Sequence, residues 1–178
     1  DSVFNQTFLD YELIIINDGS TDKSCEIVKS ICENKKNIIL ISQENQGLSS
    51  TRNKGIRLAK GEIIALLDAD DLWNKNYLKE IHKLYNDFPE ASLYGTDYIE
   101  KLSSTIELEP SKNISGKLKN STFLIEDFFR ASLFQPIVNP SCFCFKKEVF
   151  KTVKFNESIN FGEDVDYFIN SNLNFSLA

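Results

Sequence analysis

The stretch GEIIALLDADDLW, residues 61–73, is a dense apolar run that ends in three carboxylates, Asp68, Asp70 and Asp71. Residues 63–67 have the pattern of a strand buried on both faces. Three acids within four residues at its end repel one another unless something positive sits among them. A strand that delivers clustered carboxylates to its own C-terminal end suits a ligand site, since parallel α/β sheets bind ligands at that edge.

The surrounding chain carries the same alternation. Residues 11–17 (YELIIIN) form a near-continuous apolar strand that stops at the turn cluster Asp18, Gly19, Ser20. A helix is predicted over 22–34, with Cys25, Ile27, Val28, Ile31 and Cys32 as its apolar stripe, a strand over 38–42 and a helix over 49–59. Residues 76–88 are the most clearly amphipathic segment, with Tyr77, Leu78, Ile81, Leu84, Tyr85 and Phe88 on one face. A short strand follows at 91–94. Strand–helix alternation with strands apolar on both faces predicts an α/β fold, a mostly parallel sheet flanked by helices. Residues 99–122 are polar and weakly patterned, an excursion with little sheet. Beyond it come a short helix at 123–131, a strand at 141–145, a short helix at 147–153 and a last helix at 164–173.

The 178 residues, 42% hydrophobic and 26% charged, fit one globular domain. A net charge of −6 with only three arginines argues against a nucleic-acid partner. No apolar run approaches the roughly 20 residues of a membrane span. Cys25, Cys32, Cys142 and Cys144 match no metal or disulfide pattern and read as small core residues, which suits a reducing cytoplasm. The five N-x-S/T sequons, at Asn5, Asn113, Asn120, Asn156 and Asn174, read as chance in an Asn-rich chain.

On residues alone, two readings of the acidic cluster stand open. Hard cations such as Mg²⁺ or Mn²⁺ take carboxylate oxygens. Asp also favours helix caps and turns. Asp164 is likewise either a functional carboxylate or an N-cap. Trp73 is either a sugar platform or packing under the acidic loop, and His82 reads as a solvated surface residue.

Four motifs occur in order: NDGSTD (17–22), ENQGLSSTRNKG (44–55), LLDADD (66–71) and GED (162–164). In this register the chain resembles the family 2 glycosyltransferases, inverting enzymes of GT-A (Rossmann-like) fold that use nucleotide-sugar donors. The resemblance spans nearly the whole chain. It implies that Asp18 binds the nucleotide base, with Asn17 in place of a frequent Asp. It places Arg52 on the donor side against base or phosphate, with Thr51 where Ala is usual. It makes Asp70 the direct ligand of Mg²⁺ or Mn²⁺ and turns Asp68 toward the ribose and the metal's water shell. Asp71 falls to a helix cap or a position behind the metal ligand, Glu163 to a supporting position, and Asp164 to the catalytic base.

The resemblance further implies a single catalytic domain over 1–178. Residues 1–98 would hold the nucleotide sugar and 99–178 would face a saccharide or glycolipid acceptor. The expected setting is polysaccharide synthesis in the bacterial cytoplasm, at the inner face of the membrane. The family opens with a strand that this sequence lacks, so the first central strand of the sheet is expected to be missing. Either a gap or a direct pairing is then expected between the strands ending near Asp18 and Asp68. Two other functions compete. A haloacid-dehalogenase-like phosphatase also places D-x-D at a strand end, but leaves the Asp18 and Arg52 motifs unexplained. A non-catalytic nucleotide-sugar or carbohydrate-binding module would bind without turnover.

Overall fold

The structure, a computed structural model, describes residues 1–33, 35–101, 103, 105–109, 121–133 and 135–178. Sequons Asn113 and Asn120, and most of the polar excursion's second half, lie outside them. Strand β1 (Leu13–Asp18) pairs in parallel with β2 (Ile38–Gln43), and helix α1 (Ser24–Cys32) connects them. Helix α2 (Leu48–Leu58) then leads to β3 (Ile63–Ala65), and α3 (Tyr77–Asp87) to β4 (Leu93–Gly95). A two-residue-per-strand hairpin, β5 (Glu100–Lys101) with β6 (Glu107–Leu108), is the sheet content described in the excursion. Helix α4 (Phe128–Ala131), strand β7 (Phe143–Lys146) and helix α5 (Glu163–Asn172) complete the order.

Strand β7 lies between β3 and β4 and runs antiparallel to both, so β3 and β4 are parallel to each other across it. Periodicity cannot reveal this, because a fully buried run such as Phe143, Cys144, Phe145 looks the same in either direction. Neither β1 nor β2 is hydrogen-bonded to this second sheet. Of the two expected outcomes, the structure has the gap.

The gap shows in burial. Every residue of β1 is only half-buried, whereas Phe143, Cys144 and Phe145 are fully enclosed. Helix α1 buries none of its residues, and its expected stripe leaves Ile27 56% exposed. A two-stranded sheet is too narrow to cover a helix face. The main core instead gathers on β7 and α5, where Phe143, Phe145, Tyr167 and Phe168 pack with Ile56, Leu93 and Val149. A second cluster forms under α3, from Tyr77, Ile81 and Leu84 against Ala91, Tyr94 and Cys144. Their i, i+4, i+7 spacing is what one buried helical stripe requires.

Several boundaries are shorter than expected. The predicted helix at 123–131 keeps only its last turn, begun by the Asp127 side chain accepting from Arg130 N. The helix expected at 147–153 is a 3₁₀ segment, Lys147–Lys151. The terminal residues bridge to β4 in parallel: Ala178 N donates to Leu93 O and Gly95 N donates to Ala178 O. Gly95 sits where a Cβ would lie 2.6 Å from Val138 Cγ1, so β4 needs a glycine there.

Candidate functional site

Asp18 ends β1 opposite Gln43, its register partner on β2. Gln43 Nε2 donates to Asp18 Oδ1 at 2.7 Å, and Lys54 Nζ donates to Gln43 Oε1 at 2.6 Å. Backbone N–H groups of Gln46 and Gly47 donate to the two carboxylate oxygens, each at 2.9 Å. Partial burial raises the Asp18 carboxyl, but donors from Gln43, Gln46, Thr51 and Gly47 together outweigh it and hold the group below the usual carboxylate range. Gly19 follows with φ 81°, and a Cβ there would meet Asn45 N at 2.9 Å. The turn therefore admits only glycine without strain. Asn17 Oδ1 accepts from Ser20 N at 3.0 Å, so the Asn in place of Asp still closes the turn.

Five residues beyond Gly47, about 7 Å along the helix axis, stands Arg52. It is 7% exposed, yet charged. Its Nη2 contacts both Asp68 oxygens, at 2.9 and 3.2 Å, and its Nη1 contacts Glu163 Oε1 at 3.1 Å. Its guanidinium lies 5.2 Å from the centre of the Phe155 ring, which stacks on Tyr167 of α5 at 4.0 Å. This supplies the positive charge that the acidic strand end demanded. Arg52, Asp68 and Glu163, expected from separate motifs, form one cluster.

The neighbouring residue completes the attachment. Asn53, 1% exposed, donates to Phe155 O at 2.8 Å and Glu157 Oε1 at 2.9 Å, and accepts from Phe155 N at 3.1 Å. The segment leading into α5 is thus tied to α2 by both Arg52 and Asn53. Sequence reading missed Asn53, Gln43, Ser141 and Glu157 as supporting residues. Asn53 lies inside the TRN motif, which was the available signal; the others carry none.

Gly162, with a left-handed φ of 79°, precedes the first residue of helix α5 and is its N-cap. Asp164 is therefore not the cap; it lies in the first turn and accepts from Val165 N at 2.8 Å. Glu163, Asp164 and Asp166 all fall in that turn, where the helix dipole favours negative charge. A pocket of about 230 Å³ opens beside Asp164.

Ser141 holds the acidic loop at both ends. Asp68 N donates to its hydroxyl at 3.0 Å, and Trp73 Nε1 donates to its carbonyl at 2.6 Å. Trp73 also stacks on Tyr77 at 4.5 Å, so it packs under the loop. His82 is exposed, as expected, with the Phe8 ring 4.8 Å away. Asp71 N donates to Asp68 O, closing a turn, and its own carboxylate is exposed. Asp70 is exposed at the loop's tip, with no hydrogen bond or ion pair among the described residues.

These residues decide what kind of metal site fits. No group of three or more His, Cys, Asp or Glu able to cage an ion occurs among the described residues. Asp70 is available, whereas the inner face of Asp68 is taken by Arg52. Mg²⁺ binds through one or two carboxylates plus substrate phosphates. The donor set fits an ion that arrives with a diphosphate, not one held permanently. No helix among the described residues is long and apolar enough to cross a membrane.

The sequence matches the family model for Glycosyl transferase family 2 over residues 1–154. The glycosyltransferase MJ1057 of Methanocaldococcus jannaschii is 31% identical over 174 residues, 95% of this chain and 57% of its own. Among solved structures, S. aureus TarS 1–349 superimposes with a TM-score of 0.76 at 21% identity, covering 99% of this chain and 52% of its own. The mannosyltransferase PcManGT from Pyrobaculum calidifontis, in complex with GDP-Man and Mn²⁺, superimposes at 0.68 with 18% identity, covering 99% and 48%. The chain thus spans about half the length of the proteins it matches most fully.

Proposed function

The chain belongs to glycosyl transferase family 2, and from that premise we propose that it transfers a sugar, with inversion, from a nucleotide-sugar to a hydroxyl of a saccharide or glycolipid acceptor. The observation that carries the proposal is the buried Arg52, which ties Asp68 at the D-x-D strand end to Glu163 beside Asp164. Donor acids and base are thereby held at one edge, as a direct transfer requires. Residues 1–98 then form the donor half and 99–178 the acceptor side.

Each residue has a role in this scheme. Asp18, ionised and held by Gln43 and the 46–47 backbone, accepts hydrogen bonds from the nucleotide base. The outer edge of Asp68 faces the ribose. Asp70 would hold Mg²⁺ or Mn²⁺ together with the diphosphate; when bound, that ion offsets the charge gathering on the leaving group. Asp71 and Glu163 support this arrangement, Glu163 through Arg52. Asp164 takes the proton from the acceptor hydroxyl as it attacks the anomeric carbon. The fold neighbours support a nucleotide-sugar donor: TarS 1–349 is known in complex with UDP-GlcNAc, and PcManGT with GDP-Man and Mn²⁺. We take UDP as the nucleotide and surface polysaccharide synthesis as the setting. Four cysteines that form no disulfide among the described residues fit a reducing, cytoplasmic location.

A panel of UDP- and GDP-sugars, screened for metal-dependent thermal stabilisation and then for transfer or hydrolysis, tests this reading. Metal-dependent stabilisation by one donor with slow release of its nucleoside diphosphate is expected. Binding without turnover would instead indicate a binding module, and phosphate release from simple phosphomonoesters would indicate a phosphatase.

A further inference from the structure

The pocket beside Asp164 has a composition unlike a nucleotide site. Its apolar wall comes from Tyr98, Val138 and Phe168, and its polar groups are Glu100, Asn139 and Asp164. No lysine or arginine lines it among the described residues. At about 230 Å³ it is smaller than the roughly 300–1,000 Å³ of pockets that enclose drug-sized ligands. That is room for one sugar ring.

The wall is fixed before any ligand enters. The Tyr98 hydroxyl donates to Pro136 O at 2.9 Å. Burial first, and the Glu100 charge next, push the Tyr98 phenol up to about 12, so it stays a neutral donor. Asn139 Oδ1 accepts from Cys142 N at 3.0 Å, which orients the amide and leaves its NH₂ for a ligand. The carboxylates of Glu100 and Asp164 can only accept hydrogen bonds when ionised. A pyranose matches this set, with a C–H face for the aromatic wall and hydroxyls for the carboxylates. A diphosphate or a uronate does not, because it brings negative charge against two carboxylates with no lysine or arginine among the described residues lining the pocket.

We infer that this pocket is the acceptor subsite and that it selects an uncharged sugar ring, Glu100 turning away rings that carry a carboxylate or phosphate. The inference rests on the transfer reading, since Asp164 is the base only in that scheme. It adds a selectivity that the scheme does not contain. Glu100 lies on the β5–β6 hairpin and is exposed, so its substitution tests charge without disturbing the core.

The experiment uses the full chain with UDP and Mn²⁺ present. Ligand-observed NMR compares three matched pairs of methyl glycosides, gluco, galacto and manno, each a neutral ring against its uronate. The expected result is that at least one neutral ring binds, about fivefold or more tightly than its uronate, the scale of a single like-charge contact under water-like screening. Glu100→Gln should at least halve that ratio, Asp164 keeping the remainder, while UDP affinity stays unchanged. Uronates binding as well as neutral rings, or a ratio untouched by Glu100→Gln, would overturn the inference. So would UDP binding with no glycoside bound, which leaves the transfer reading intact. Failure of UDP, and of GDP in its place, to bind removes the transfer reading and the inference with it. Tight binding of a second UDP that competes with the glycosides would show a nucleotide site in the pocket instead.

Discussion

Replacing Arg52 with methionine removes the cation between Asp68 and Glu163 while keeping a flexible stem near the Phe155 ring. The Arg52 side chain is 6% exposed, Glu163 13% and Asp68 32%. Removing one partner of a buried pair typically costs about 3–5 kcal/mol, because the other charge is left uncompensated. Asp68 can recover water at its exposed edge and Glu163 less so, which places the expected loss near the lower end, about 3 kcal/mol. At roughly 2–4 °C per kcal/mol for a domain of this size, Tm should fall by about 6–12 °C. Thermal and chemical denaturation of the wild type, Arg52→Met and the triple variant Arg52→Met, Asp68→Asn, Glu163→Gln measure the Tm and the free energy. The triple variant should recover more than half of the loss, since its neutral side chains no longer need the cation. A loss below about 1 kcal/mol, the scale of an exposed pair, would refute the reasoning. So would a triple variant less stable than Arg52→Met.

The folded Asp18 carboxyl titrates below its unfolded value of 3.8, so its contribution is fully present above pH 3.8 and is lost as pH falls through the folded value. The stability difference between wild type and Asp18→Asn should therefore be flat from neutral pH down to 3.8 and shrink only below it; a difference that fades between pH 7 and 5 contradicts the assignment. Gly19→Ala forces a side chain into φ 81° and against Asn45 N, and should destabilise by about 1–3 kcal/mol in denaturant melts. Unchanged stability would mean the turn is not as close as the structure has it. Asp70→Ala, at an exposed loop tip, should change stability by less than about 0.5 kcal/mol. It should nonetheless abolish metal-dependent nucleotide binding by calorimetry; retained binding at low Mn²⁺ would remove Asp70 from the metal site.

The fold class was legible because β1 and β2 are apolar on both faces and α3 carries a clear apolar stripe. The direction of β7 was not, since its pairing is decided by residues some 50 and 80 positions away. Helix α1 shows the opposite failure. Its stripe is well formed in sequence, yet the narrow β1–β2 sheet gives that stripe too little to cover, and Ile27 stays exposed. For the site, the motifs named Asp18, Arg52, Asp68, Asp70, Glu163 and Asp164 through the family resemblance, in which the acids stand at turns, a strand end and a helix start. Their mutual contacts were not in the motifs. Nothing local says that Arg52 reaches Glu163 across 111 residues, or that Ser141 fastens the loop from Asp68 to Trp73. Asp164 shows how a local preference misleads: Asp is common at helix caps, but Gly162 takes the cap with a left-handed backbone. That leaves Asp164 one step inside the helix, at the mouth of the pocket.

The central claim is that Asp164 acts on the acceptor proton while the donor is held elsewhere, by Asp18, Asp68 and Asp70. Asp164→Asn tests it most directly, assayed for transfer rate and, separately, for donor affinity by calorimetry with Mn²⁺ present. The account predicts that turnover falls by about 10²–10⁴, the usual contribution of a positioned base, while donor affinity stays within about twofold of wild type. Donor affinity falling in step with the rate, or turnover persisting near the wild-type value, would contradict it.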